Sequence, residues 1–198
     1  FENSPAYVSL CGNCDRSWRL RFLQWFFERN FEIRANSQVN RAVFRDGQLV
    51  AFFMFVTPNT PDVGLLDMLR VGLLQAPFLF GIGVVKRLIS LKAEYEKVER
   101  EVIASYYNTP VYRLERMIVH PNEQGMGIGT HALELALKEA DSAGFPVLLS
   151  TQEERNVRFY NRLGFEVVRE DSYDTYTSWS MLRQPKQNKA ETYHGSDS

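Results

Sequence analysis

The sequence predicts an α/β domain built on a mixed central sheet, and three features carry that expectation. Val111–Val119 is dense in Val, Ile and Tyr and stops at His120-Pro121, as a strand does where proline offers no N–H to the ladder. The run Gln124-Gly125-Met126-Gly127-Ile128-Gly129 leads directly into an amphipathic helix that Gly144 ends. The short apolar run Pro146–Thr151 follows that helix, and a strand reached from another through a helix lies parallel to it. Arg41–Phe44 and Leu49–Val56 flank Arg45-Asp46-Gly47-Gln48, a hairpin turn, so antiparallel pairing joins parallel pairing in one sheet.

Taken in chain order, Arg16–Phe31 is a helix, with Trp18, Phe22, Trp25 and Phe26 at helical spacing. Leu49–Val56 is almost continuously apolar, which fits a strand covered on both faces. Val63–Val85 is the most hydrophobic region, but its uncharged run Val71–Val85 falls short of the roughly 20 residues a bilayer span needs. Short helices over a substrate pocket are expected there, within a helical insert at 64–102. Lys86–Val102 continues as an amphipathic helix whose outer face mixes both charges, unlike the basic face of a membrane-surface helix.

In Val111–Val119, strict alternation places Arg113, Glu115, Met117 and Val119 on one face, and Tyr112, Leu114, Arg116 and Ile118 on the other. The helix after the glycines turns Ile128, Ala132, Leu135, Ala136 and Ala140 inward. Asn156–Leu163 is a short helix, Phe165–Arg169 a strand, and Tyr176–Leu182 a final strand. One domain over 1–182 results, with a polar, aperiodic tail at 183–198 expected to be disordered.

The glycine run has two readings on its residues alone. Backbone N–H groups at a helix N-terminus, approached through glycines, form an anion site suited to phosphate. A plain turn needing positive φ would select the same residues. The two commonest phosphate motifs are absent: no Lys-Ser/Thr follows for a P-loop, and the sixth position of a dinucleotide fingerprint is Thr130.

Gln124-x-x-Gly127-x-Gly129 behind a strand ending Val119-x-Pro121 resembles the acetyl-CoA motif of the GNAT superfamily of N-acetyltransferases. Asn156, Phe159-Tyr160 and Leu163-Gly164-Phe165 resemble that family's second half, in the same order. The resemblance covers roughly Val111–Glu170, and the helical insert ahead of it resembles a subgroup that includes puromycin N-acetyltransferase and fungal relatives. It implies a GNAT fold whose first strand would lie upstream of Phe1. It implies acetyl-CoA as co-substrate, held by Met117, Ile118, Val119, Gln124, Gly125, Met126, Gly127, Ile128, Gly129, Thr130 and Asn156.

Acetyl transfer from a thioester needs an anchored pyrophosphate, a neutral amine, a stabilised oxyanion and a proton for the leaving thiolate. The resemblance assigns the last of these to Tyr160, which on local sequence reads equally as a core tyrosine under Leu163-Gly164-Phe165. Asn156 matches a pantetheine-binding residue and also suits a helix N-cap. Glu115, on the face expected to carry Met117 and Val119, is the candidate base, with an ion pair to Arg113 or Arg116 as the other reading. His120 is taken as a loop residue. The expected activity is transfer of acetyl to a primary amine, of a small molecule, by direct attack in a ternary complex. An inactive CoA-binding domain, a protein or peptide N-acetyltransferase, and a protein anchored to a membrane by Val63–Val85 remain as other readings.

Composition narrows the classes further. The 198 residues are 44% hydrophobic with net charge −1, enough for one sizeable core and no basic run for nucleic acid. Cys11 and Cys14 form a lone C-x-x-C without a second ligand pair, so no metal site is expected. Two cysteines fit a reducing compartment, taken as the cytoplasm. Position 1 is Phe rather than Met, which reads as a chain trimmed at its start. Nothing sets an oligomeric state.

Overall fold

The computed structural model describes residues 2–186 except 13, 36, 62, 107 and 108, and leaves the side chain of residue 65 undescribed. The helices are α1 (Pro5–Cys11), α2 (Arg16–Ile33), α3 (Leu65–Arg70), α4 (Ala76–Phe80), α5 (Ile82–Tyr106), α6 (Ile128–Ala143) and α7 (Glu154–Asn161). The strands are β1 (Asn40–Arg45), β2 (Gln48–Val56), β3 (Tyr112–Val119), β4 (Val147–Thr151), β5 (Glu166–Ser172) and β6 (Thr177–Arg183). They form one six-stranded sheet in the order β1-β2-β3-β4-β6-β5. Only β3 and β4 run parallel; the other neighbours are antiparallel, as a mixed sheet requires.

Apolar residues on both faces of the central strands explain the two layers of helix. Phe53 and Phe55 of β2, Val147 and Leu149 of β4, and Met181 of β6 pack with Ala132, Leu133, Ala136, Leu137 and Ala140 of α6. Their neighbours Leu148 and Leu182 turn the other way, against Val98 and Val102 of α5. The same face continues over β2, where Phe31 of α2 meets Phe52 edge-on at 5.0 Å. The β1–β2 hairpin closes through Asp46 and Gly47, both at positive φ (51° and 77°), the geometry that a two-residue turn between twisted strands demands.

Several expectations shift in the folded chain. Leu135 is exposed rather than inward; the buried stripe of α6 is instead completed by Leu133 and Leu137. Arg183 is no part of a tail but the last residue of β6, and it is buried. Residues 187–198, expected to be disordered, lie outside those described. The helix after β4 starts at Glu154 with Glu153 as its cap, so Asn156 falls in the first turn and is not the N-cap.

The alternation in β3 also breaks. Opposite Phe52 and Met54 of β2 stand Ile118 and Glu115, so β3 carries an extra residue, and Arg116 takes φ 53° within that bulge. Tyr112, Leu114 and Met117 therefore share the α6 face, and Val119 comes within reach of Gly129 there. Glu115 sits with Arg113 and Arg116 on the opposite side, not beside Met117 and Val119 as strict alternation predicts.

One anchor of the insert is Phe80. Phe80 lies 5.6, 5.2 and 5.2 Å from the rings of Trp18, Phe22 and Trp25, joining α4 to α2. Among the described residues no helix is long and apolar enough to cross a membrane.

Candidate active site

β3 and β4 hold each other only at Tyr112–Val147 and Arg113–Leu148. Beyond those two pairs β3 stays with β2 and β4 with β6, so the parallel strands part towards their carboxyl ends. Ligands in open α/β sheets lie at such ends, where neighbouring strands no longer satisfy each other. The gap opens into a cleft of about 710 Å³, within the usual size of small-molecule sites.

The glycine loop forms one wall. His120 N–H donates to Val50 O at 2.8 Å as the last ladder bond of β3, and the Gln124 side-chain amide reaches back to Val119 O at 3.1 Å. Gly125 and Gly127 take φ 82° and 78°, and Gly127 caps α6 without any side chain to receive its first amides. None of the N–H groups from Gly125 to Thr130 donates to a backbone carbonyl among the described residues. Those donors, with the positive end of a 16-residue helix behind them, make an anion cradle at the mouth of the cleft. Three guanidiniums (Arg116, Arg155, Arg162) and three carboxylates (Glu2, Glu123, Glu153) also line it, so net side-chain charge supplies no pull on phosphate and the amides must.

Gly129 has a different task. A Cβ there would approach Val119 Cγ2 to 3.1 Å and Met117 Cε to 3.2 Å, so its missing side chain lets the first turn of α6 press onto β3.

The opposite wall comes from α7. Asn156 donates through Nδ2 to Thr151 Oγ1 at 3.2 Å, which fixes it over the end of β4. Tyr160 is buried by Phe159 and Phe165, whose rings meet it edge-on at 5.1 and 5.7 Å. Burial pushes its phenol up to about 12. Its hydroxyl has no hydrogen-bond partner among the described residues, and the side chain faces the cleft. A protonated, otherwise uncommitted donor thus stands inside the gap.

Comparison with known proteins gives the same answer. Residues 89–165 match the model of the acetyltransferase (GNAT) family. The mixed six-stranded sheet with its flanking helices has the GNAT fold. A crystal structure from Corynebacterium glutamicum, described as histone acetyltransferase HPA2 and related acetyltransferase, superposes with a TM-score of 0.58 over 96% of this chain and 87% of that one, at 15% identity. In sequence, the tRNA(Met) cytidine acetyltransferase TmcA of Thermococcus kodakarensis is 37% identical over 73 residues, which is 36% of this chain. TmcA of Pyrococcus abyssi is 41% identical over 59 residues, 29% of this chain. The match spans only 9% and 7% of the lengths of those relatives.

Within this fold, Met117, Ile118, Val119, Gln124, Gly125, Gly127, Ile128, Gly129, Thr130, Asn156 and Tyr160 all line the cleft. Met126 does not; its side chain is exposed, with Sδ 3.7 Å from Arg45 Nη1. Glu115 also stands outside the lining, because the bulge at Arg116 turns it to the other face. There its carboxylate lies 3.0 Å from Arg116 Nη1 and 4.0 Å from Arg113 Nε, while Arg113 also reaches Glu99 of α5 at 3.0 Å. Arg116 bridges the two sides: it lines the cleft and touches Asn30 of α2 at 3.4 Å.

Sequence reasoning missed Ser150, Thr151, Gln152, Phe159, Arg155 and Arg162, which complete the α7 side of the cleft. The signal for the first three was available, since they end the strand that parts from β3. Nothing in local pattern marks the two arginines. Cys11 is buried between α1 and α2, and Cys14 donates to its carbonyl; neither lines the cleft.

Proposed function

We propose that the chain transfers an acetyl group from acetyl-CoA to a primary amine of a small molecule, by direct attack in a ternary complex. The observation that carries this reading is the parting of β3 from β4 beside a run of unpaired amides. Such a gap accepts an extended arm between the strands while its mouth holds a pyrophosphate.

The proposed steps follow from the placement of each group. The amides of Gly125 to Thr130 hold the pyrophosphate, and Asn156 with the Met117–Val119 segment lines the pantetheine arm. The amine nitrogen attacks the thioester carbonyl carbon. The oxyanion that forms accepts a hydrogen bond from an N–H of Met117–Val119 on the side β4 has left. Collapse breaks the C–S bond, and Tyr160 gives its proton to the thiolate. The ammonium proton passes through water to Glu115, which stands outside the cleft lining beside Arg116, and solvent exchange restores both residues. The products are the acetylated amine and CoA. No cysteine lies in the cleft, which favours direct transfer over an acyl-enzyme.

Enclosure supports a small acceptor. Glu115 lies among three helices: Glu99 of α5 pairs with Arg113, Asn30 of α2 meets Arg116, and Tyr7 of α1 feels the charges of both Glu115 and Arg116. The insert contributes α5 to this side, although none of its described residues lines the cleft itself.

Incubating the chain with acetyl-CoA and a panel of amines, read by mass, tests the proposal. Acetylated amine and free CoA should appear in equal amounts. CoA binding without transfer to any amine would favour a sensor or scaffold, and absence of CoA binding would remove the cofactor assignment.

A further inference from the structure

The corner formed by α3, α4 and the start of α5 departs from the rest of the surface. Leu66, Leu69, Leu74, Phe78, Leu79 and Ile82 are all exposed there, Phe78 by 91%. None is needed inside: Phe80, Val84 and Leu88 already complete the contact with α1 and α2. At 100° per residue, Val84 and Leu88 point inward, so Ile82, Lys86 and Ile89 form the outward stripe of α5. The corner carries Arg70 and Lys86, both exposed, with Asp67 of α3 accepting from the Gly64 amide at 3.1 Å, while Arg87 is turned to α1, where its Nε donates to Leu10 O at 2.8 Å. Among the described residues neither Arg70 nor Lys86 is in an ion pair, whereas Lys92 pairs with Glu96. The mixed charge of α5 begins at Glu94, beyond this corner.

We propose that this corner docks on an anionic lipid bilayer, with Phe78 and Ile82 entering the headgroup boundary and Arg70 and Lys86 above it. Exposed aromatic and aliphatic side chains beneath a ring of basic ones are the pattern of interfacial binding. A second copy is a poor occupant. A two-fold interface sets the same patch against itself, so Arg70 and Lys86 would face their own copies across a patch whose acid, Asp67, already accepts from the Gly64 amide. A span is excluded for these helices by their length and interruptions. Docking here leaves the proposed acetyl-CoA cleft open, since none of the corner's described residues lines it.

Flotation of the full chain with vesicles tests this, using phosphatidylcholine alone and phosphatidylcholine mixed with phosphatidylserine. The chain should float with the anionic vesicles, and added salt should release it. Removing Arg70 and Lys86 as Arg70→Ala and Lys86→Ala should weaken partition by about fivefold each. Phe78→Ser with Ile82→Ser should weaken it roughly tenfold or more, because two apolar anchors are lost. Both variants should stay folded and keep their CoA affinity. No flotation of the wild type, or equal flotation with neutral vesicles, would overturn the proposal. Sedimentation showing a wild-type dimer that Phe78→Ser with Ile82→Ser returns to monomer would overturn it in favour of self-association.

Discussion

Gly129 and Val119 sit so close that a methyl group on Gly129 would come to 3.1 Å from Val119 Cγ2. The contact joins the first turn of α6 to the end of β3, the two elements that frame the mouth of the cleft. Gly129→Ala should therefore displace the turn that presents the amides. Overpacking of this kind costs about 1–3 kcal/mol, and CoA affinity should fall with the thermal midpoint. Gly127 is the contrasting case: nothing lies within 4 Å of a Cβ there, but its φ is 78°. Gly127→Ala should cost about 1–2 kcal/mol from backbone strain alone. Calorimetric titration with CoA and thermal melts of both variants check this; unchanged affinity in both would remove the loop from the cofactor site.

Tyr160→Phe separates packing from chemistry. The hydroxyl has no partner among the described residues, so the midpoint should barely move, while turnover with an accepted amine should fall by about 10²–10⁴-fold. Acetyl-CoA should bind as before. Turnover within a few-fold of wild type would take Tyr160 off the catalytic list.

Glu115→Gln probes the base. Loss of rate should be largest at low pH, where most of the amine is protonated and must shed a proton before attack. Acetyl-CoA affinity should not change, because Glu115 lies across the sheet from the glycine loop. A uniform loss at every pH, with a lowered midpoint, would assign the residue to its ion pairs with Arg113 and Arg116.

Asp141 and Arg183 tie the far end of α6 to the end of β6 through paired hydrogen bonds of 2.7 and 2.8 Å. Asp141→Ala leaves the buried guanidinium unpaired and should cost about 3–5 kcal/mol. The pH dependence has a definite sign. Burial alone would raise the Asp141 carboxyl, but hydrogen bonds from Arg183 and the Lys186 backbone hold it below its ordinary 3.8. Its contribution is thus complete above that value and is lost as pH falls through the lower, folded one. Acid melts of wild type and Asp141→Ala should converge as that happens; parallel curves would contradict it.

Much of this was legible in the chain because local rules and tertiary packing agree there. β2 reads as a strand covered twice, and it is; the glycine run reads as a strand-to-helix turn, and Gly125 and Gly127 take the positive φ it needs. Legibility failed where a single residue changes the count. The bulge at Arg116 adds one residue to β3 and sends Glu115 to the other face, which no periodicity argument detects because arginine carries no bulge signature. Leu135 misled for a related reason: in an apolar helix several stripes are possible, and the tertiary partner chooses Leu133 and Leu137. Arg183 looked like tail because a polar run follows it, whereas its partner Asp141 is 42 residues away. Arg155 and Arg162 reach the cleft only through the placement of α7.

The central claim is that acetyl-CoA lies between β3 and β4 with its pyrophosphate on the glycine loop. Backbone amide chemical shifts, followed while acetyl-CoA is titrated into the labelled chain, test it most directly. The largest changes should fall on Gly125 to Thr130 and on Met117 to Val119, with smaller ones at Asn156 and Tyr160. Saturable changes elsewhere, such as at the groove lined by Tyr106, Val168 and Leu182, with the glycine-loop amides unmoved, would contradict it.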